Sequence, residues 1–233
     1  MSDPIEAYGW TAVPRSQSKL LNAAKPKPAV KITTADITTP SSPVAQKIYE
    51  YVKAQLPEQT FNHSMRVFYY GSAIIAQHLP HFEPSTETYY LTCLLHDIGT
   101  TATNLRATRM SFEFHGGLLA LELLQSSGAP KEQAESVCEA IIRHQDLGES
   151  GSITTVGQLI QLATVFDNMG MNPELIHKET IESVTAKFPR KRWSSCFAAT
   201  IREEVGLKPW SHTTAIDGFA EGVESNKLME PYD

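Results

Sequence analysis

Residues 91–99 read Leu91-Thr92-Cys93-Leu94-Leu95-His96-Asp97-Ile98-Gly99. An apolar run of this kind reads as a buried helical segment, yet it closes on an adjacent imidazole and carboxylate, with Gly99 placed to stop it. Both side chains can offer lone pairs to one cation, and the apolar turns behind them hold them still. The plainer reading of the dipeptide alone is a helix that ends in two polar residues. The decision between the two rests on the rest of the chain.

The segments on either side are helical in pattern. Ser42-Pro43 is an N-cap followed by proline at the first helical position, and Val44, Ile48, Val52 and Leu56 then step by four until Pro57. A second helix is expected from about Asn62 to Leu79, and a third from near Ser85 to the His-Asp pair. Thr100 to Thr108 reads as a polar loop. Helical patterns resume over 111–124, 131–144, 155–168, 173–188 and 191–204, broken at Ser126-Ser127-Gly128, Gly148 to Gly151 and Gly170 to Pro173. No alternating strand pattern of useful length and no repeat occurs. The expected fold is all-α, with residues 43–233 as one helical domain.

Residues 1–42 contain Pro4, Pro14, Pro26, Pro28 and Pro40, a density that reads as an extended arm without regular helix. Tyr8, Trp10, Val13, Leu20 and Leu21 are too apolar for a free tail. They are expected to lie on the domain or on a neighbouring subunit, which favours a homo-oligomer.

The 233 residues are 41% hydrophobic and 20% charged, enough for one sizeable core. A net charge of −6 disfavours nucleic acid or an anionic membrane as partner. The longest apolar stretches, such as Ser72 to Ala76, are far too short to span a bilayer. Asp3, Pro4 and Glu6 are unlike a secretory leader. Cys93, Cys138 and Cys196 are scattered in apolar segments and read as reduced core thiols of the cytosol or nucleus, and the expected location is cytoplasmic. Without a leader the sequon Asn62-His63-Ser64 reads as coincidence. Cys93 is one turn before His96, but an apolar setting raises a thiol's pKa, so it reads as inert.

His63 falls early in the second helix. Asp167 closes the apolar run Leu159 to Phe166, where an unpaired carboxylate costs several kcal/mol to bury and meets the negative end of the helix dipole. His63, His96, Asp97 and Asp167 therefore form a candidate ligand set for a divalent cation such as zinc, iron(II) or manganese(II). Taken singly, each is equally well a cap or a hydrogen-bonded polar residue. His144 ends another apolar helix, and His115 sits in Phe112-Glu113-Phe114-His115-Gly116-Gly117; either is a candidate ligand or acid–base group. His78 and His81 flank Pro80 and read as solvent-facing, while His177 and His212 have no partner identifiable from spacing.

The order His63, His96-Asp97, Asp167 resembles the HD superfamily of all-helical metalloproteins. Phe61-Asn62-His63-Ser64-Met65-Arg66-Val67-Phe68, residues 92–98, 106–113 and 140–147, Phe166-Asp167-Asn168 and Lys208-Pro209-Trp210-Ser211-His212 are similar to the cyanamide hydratase family, as is Tyr8-Gly9-Trp10 in the arm. That resemblance implies hydration of cyanamide to urea through a metal-activated water at a mononuclear zinc, with His63, His96, Asp97 and Asp167 at the metal positions. It does not require His115, since some relatives carry an aromatic residue there.

On that reading His144 or a carboxylate such as Asp97 relays a proton. Asn62, Thr164 and Glu113 are candidates to bind substrate or water, and Phe112, Phe114 and Phe166 to keep the pocket tight. The rival is an HD phosphohydrolase, for which Arg66, Arg106, Arg109 and Arg143 are candidate phosphate ligands.

Overall fold

Helices dominate the chain because its long apolar segments recur at helical spacing and are punctuated by caps. The computed structural model describes residues 4–80, 82 and 85–233. The expectation for His81 falls outside them. In order, the described elements are α1 (Pro4–Ala7), β1 (Ala12–Pro14), α2 (Gln17–Ala24), α3 (Pro43–Gln55), α4 (Glu58–His78), α5 (Thr86–Leu95), α6 (Ala102–Ala107) and α7 (Phe112–Ser126). They continue with α8 (Lys131–Ile142), β2 (Ser152–Thr154), α9 (Thr155–Met169), α10 (Lys178–Lys187), α11 (Trp193–Leu207) and α12 (Phe219–Glu224).

The expected all-α class holds. Ser42 caps α3 by accepting from Ala45 N, and Ala45, Ile48 and Val52 bury one face. In the middle lie α4, α5 and α9, packed on one another. Helices covered on several sides need no polar face, which is why residues 91–95 and 159–166 are predominantly apolar, with only Thr92, Gln161 and Thr164 polar. Thr154 caps α9 at one end, and Gly170 ends it at φ 68°, a conformation glycine takes without strain.

Three expectations need correction. The arm is not structureless. Ser16 caps α2, which occupies a proline-free window and buries Leu20 and Leu21, and β1 pairs antiparallel with β2 through Val13 and Ile153. Three-residue strands are too short to show alternation. The Thr100–Thr108 loop contains α6, capped by Thr101. His78 is buried, with its Nε2 3.0 Å from the Leu175 carbonyl, because the buried face of α4 continues to its last residue.

The arm also finds its burial on its own chain. Trp10 donates to the Glu132 carbonyl, Ser136 to Tyr8 O, and Thr155 to Gly9 O. The apolar arm therefore does not call for a neighbouring subunit. Beyond the main core, α11 and α12 build a smaller one from Trp193, Phe197, Ala198, Ile201, Phe219, Ala220 and Val223. No described helix is long and apolar enough to cross a membrane.

Candidate metal centre

The run Leu91–Leu95 ends α5 with His96 as its C-cap, and Asp97 follows at the start of a short 3-10 turn, Ile98–Thr100. Gly99 does not stop the helix, as its position suggested. It lets α7 approach: a Cβ there would lie 2.1 Å from the Phe112 carbonyl oxygen. The close contact fixes the turn that carries Asp97.

His63 comes from α4 to meet this turn. Its Nε2 stands 3.2 Å from His96 Nε2 and 3.7 Å from Asp97 Oδ2, and His96 Nε2 is 3.3 Å from the same oxygen. All three side chains are buried. Among the described residues they form a group able to hold a metal ion.

The tautomers point the same way. His96 Nδ1 lies 2.8 Å from the Cys93 carbonyl, His144 Nδ1 lies 2.7 Å from the Ile141 carbonyl, and His63 Nδ1 lies 2.6 Å from Asp167 Oδ2. Carbonyls and carboxylates only accept, so each Nδ1 carries the proton and each Nε2 presents a lone pair. Two such lone pairs facing each other need a cation or a proton between them. Both Asp97 oxygens, moreover, are buried without a hydrogen-bond partner among the described residues. Donors around one tetrahedral ion at about 2.0–2.2 Å stand about 3.3–3.6 Å apart, close to the spacing found. The donor set fits a divalent cation, and the carbonyls and carboxylate behind the imidazoles are the supports such ligands use.

Asp167 does not stand in that group. Its Oδ2 is engaged by His63 Nδ1 and Arg66 Nη2, and its Oδ1 by Arg190 Nη1 at 2.8 Å. The spacing-based expectation of a fourth ligand meets a carboxylate at the far ring nitrogen of His63. The two guanidiniums, both buried, resolve the cost of a charge at the end of an apolar helix. Burial pushes the Asp167 carboxyl up, but Arg66 and Arg190 hold it well below the usual carboxylate range. Trp193 stacks on His63 with ring centroids 4.3 Å apart, and Phe197 stacks on Trp193 at 5.0 Å.

Burial lowers His63 and His144 each to about 4. For Asp97, burial acts upward and is overcome by His96, then His63 and His144, so the carboxyl is lowered.

Beside the three donors runs a cleft lined by His96, Asp97, His144, Thr164, Asn168 and, on its apolar side, Leu147, Val165, Met169, Ile216 and Phe219. The centre of a water-sized sphere can move through about 20 Å³ of it, room for one or two waters. His144 Nε2 is 4.0 Å from Asp97 Oδ1. Thr164 donates to the Ile160 or Gln161 carbonyl and keeps oxygen lone pairs for the cleft.

Other expected residues lie elsewhere. Asn62 Nδ2 donates to the Pro189 carbonyl, tying α4 to the loop before α11. Glu113 is buried against His212 Nδ1 at 2.9 Å, and does not border the cleft. His212 thus has a partner ninety-nine residues away, beyond the reach of spacing. His115 is half-buried, away from the group of three. Phe112 meets His144 edge-on, Phe114 stacks on His212, and Phe166 packs on Tyr70. The cleft's aromatic wall is Phe219 instead. Trp193, Arg190 and Phe219 had no sequence signal: their contacts to His63, Asp167 and the cleft arise only from the packing of the chain beyond residue 189.

Three of the four arginines proposed for phosphate are occupied: Arg66 serves Asp167, Arg143 pairs with Asp146 and Arg106 pairs with Glu203. Arg109 is exposed and does not border the cleft. No lysine or arginine lines the cleft.

Residues 60–169 match the HD domain family. Over 227 residues, 95% of this chain and 98% of the relative, the chain is 43% identical to cyanamide hydratase DDI2 of Saccharomyces cerevisiae. The chain belongs to the cyanamide hydratase family. Cyanamide hydratase DDI3 of the same yeast matches to the same extent. The family's HD domain runs from α4 to the end of α9 and contains His63, His96, Asp97, His144 and Asp167. Phe219 and the Trp193 stack are contributed from outside it.

Proposed function

We propose that this protein hydrates cyanamide to urea at one divalent cation held by His63, His96 and Asp97. The observation that carries the reading is the pair of Nε2 lone pairs facing each other at 3.2 Å beside a buried carboxylate with no hydrogen-bond partner among the described residues. Imidazole nitrogen with carboxylate oxygen suits zinc, and also iron(II) or manganese(II). When bound, the cation supplies Lewis acidity that polarises a nitrile and acidifies water.

The chain's own groups do the rest. His144 takes a proton from the attacking water at Nε2 and returns it to the nitrile nitrogen. Its Nδ1 is committed to the Ile141 carbonyl, which holds that tautomer. Burial keeps His144 neutral at pH 7, so Nε2 is free to accept a proton. Asp97 Oδ1, 4.0 Å from that nitrogen, stabilises the imidazolium that forms when His144 takes the proton. Thr164 accepts from the substrate's amino group. The apolar wall of Leu147, Val165 and Met169 limits the site to a small neutral molecule, and a cleft without a cationic side chain disfavours phosphate esters. Cyanamide detoxification in the cytoplasm is the corresponding role, in keeping with three unpaired cysteines.

The test is turnover. Purified, metal-loaded protein is expected to release urea from cyanamide, and His96→Ala or Asp97→Ala to lose both metal and activity. Inorganic phosphate released from nucleoside monophosphates, with no urea from cyanamide, would replace this reading with the phosphohydrolase one.

A further inference from the structure

Two spaces lie on either side of the C-terminal segment 213–220. One is the narrow cleft at His96, Asp97 and His144. The other is an open hollow of about 440 Å³ walled by Ile201, Val205, Thr213 and Gly218. Ile216 and Phe219 are the residues that border both. Thr213 Oγ1 donates to Glu204 on one side of the segment. On the other side Phe219 meets Phe197 edge-on at 5.7 Å. Between these anchors Asp217 and Gly218 are exposed, and Gly218 turns the chain at φ +62°. The partition is therefore one side chain thick and belongs to the edge of the small core of α11 and α12, not to the main core.

We propose that Ile216 and Phe219 are specificity-determining residues: they close the cleft at the length of cyanamide, and shortening them admits cyanamides that carry an apolar group on the amino nitrogen. This rests on the hydratase reading. A linear substrate with its nitrile beside Asp97 and His144 presents its amino end to the remaining lining, which on the C-terminal side is this partition. The chemistry does not change with the substituent. One water is consumed: its oxygen bonds to the nitrile carbon as one carbon–nitrogen π bond breaks, the second gives way to the carbonyl π bond as the isourea tautomerises, and both water protons finish on the former nitrile nitrogen. The product is the N-substituted urea, and nothing is oxidised or reduced.

The experiment compares cyanamide with phenylcyanamide on the metal-loaded full chain. Phe219→Ala and Ile216→Ala are each expected to raise the ratio of kcat/KM for phenylcyanamide over cyanamide by about tenfold or more, the scale of pocket discrimination by size. Val223→Ala, in the same small core but bordering neither space, should leave the ratio unchanged. An unaltered ratio in both Phe219→Ala and Ile216→Ala overturns the proposal, as does an equal rise in Val223→Ala. Ile216→Val carries the test if the alanine variants do not fold. If the unsubstituted protein forms no urea, the hydratase reading fails on its own. The partition is then judged by calorimetric binding of phenylcyanamide, where about tenfold tighter binding in the Phe219 or Ile216 variant is expected and an equal Kd refutes it.

Discussion

Asp167 Oδ2 lies 2.6 Å from His63 Nδ1, at the opposite ring nitrogen from the one that meets His96. A carboxylate behind an imidazole fixes the tautomer and aims the lone pair. Asp167→Asn is therefore expected to weaken metal binding by about 10–100-fold without abolishing it, whereas Asp97→Ala should remove stoichiometric metal. Chelator competition measures both. Equal loss in the two variants would place Asp167 among the ligands.

Asp167 also pairs with Arg66 and Arg190, which are buried, and Asp233 supplies the second negative charge at Arg190. Removing one partner of such a cluster leaves uncompensated charge, at a cost of about 3–5 kcal/mol. Asp167→Ala should lower the unfolding free energy by that order, read from denaturant midpoints. A change within the scatter of surface substitutions would contradict the arrangement.

His144 is expected to act in chemistry and not in binding the cation. His144→Ala should keep about one metal per chain while kcat falls by about 10²–10⁴-fold, the usual worth of a positioned acid–base group. Metal analysis beside steady-state kinetics separates the two, and loss of metal would make His144 a ligand.

Burial takes His144 from 6.5 to about 4. Between those values the unfolded chain carries a proton that the folded chain lacks, so this contribution to stability rises with pH. It is fully present above pH 6.5 and lost as pH falls toward 4. The shift corresponds to about 3 kcal/mol. Denaturation of the metal-free protein from pH 4 to 7 should show that slope, reduced in His144→Gln. A slope of the opposite sign would show that His144 is charged when folded.

Gly99 is tested by its neighbour. A Cβ would come 2.1 Å from the Phe112 carbonyl oxygen, which is backbone and cannot swing aside. Gly99→Ala should cost about 1–3 kcal/mol, the range for overpacking, and displace Asp97. A melting temperature and metal content equal to the parent's would show that the turn has slack.

The helices were legible because their caps and breaks are local: Ser42-Pro43 at the start of α3, Gly170 at the end of α9. His63, His96 and Asp97 were legible because polar residues inside apolar runs need a reason. The shell behind them was not. Arg190 and Trp193 reach His63 and Asp167 from over twenty residues beyond Asp167, and only the docking of α11 on α4 brings them there. The arm misled because proline density argues against helix over a whole stretch, while α2 needs only the eight residues between Ser16 and Lys25. Nearness in sequence to a ligand does not fix the helix face: of the two residues singled out on that ground, Thr164 borders the cleft, while the Asn62 amide donates to the Pro189 carbonyl.

The most direct measurement is an anomalous-difference map at the zinc edge from crystals of the metal-loaded protein. The expected result is one peak per chain, about 2.0–2.2 Å from His63 Nε2, His96 Nε2 and an Asp97 oxygen, with Asp167 still on His63 Nδ1. A peak elsewhere, or none at near-stoichiometric metal content, would contradict a cation held by these three residues.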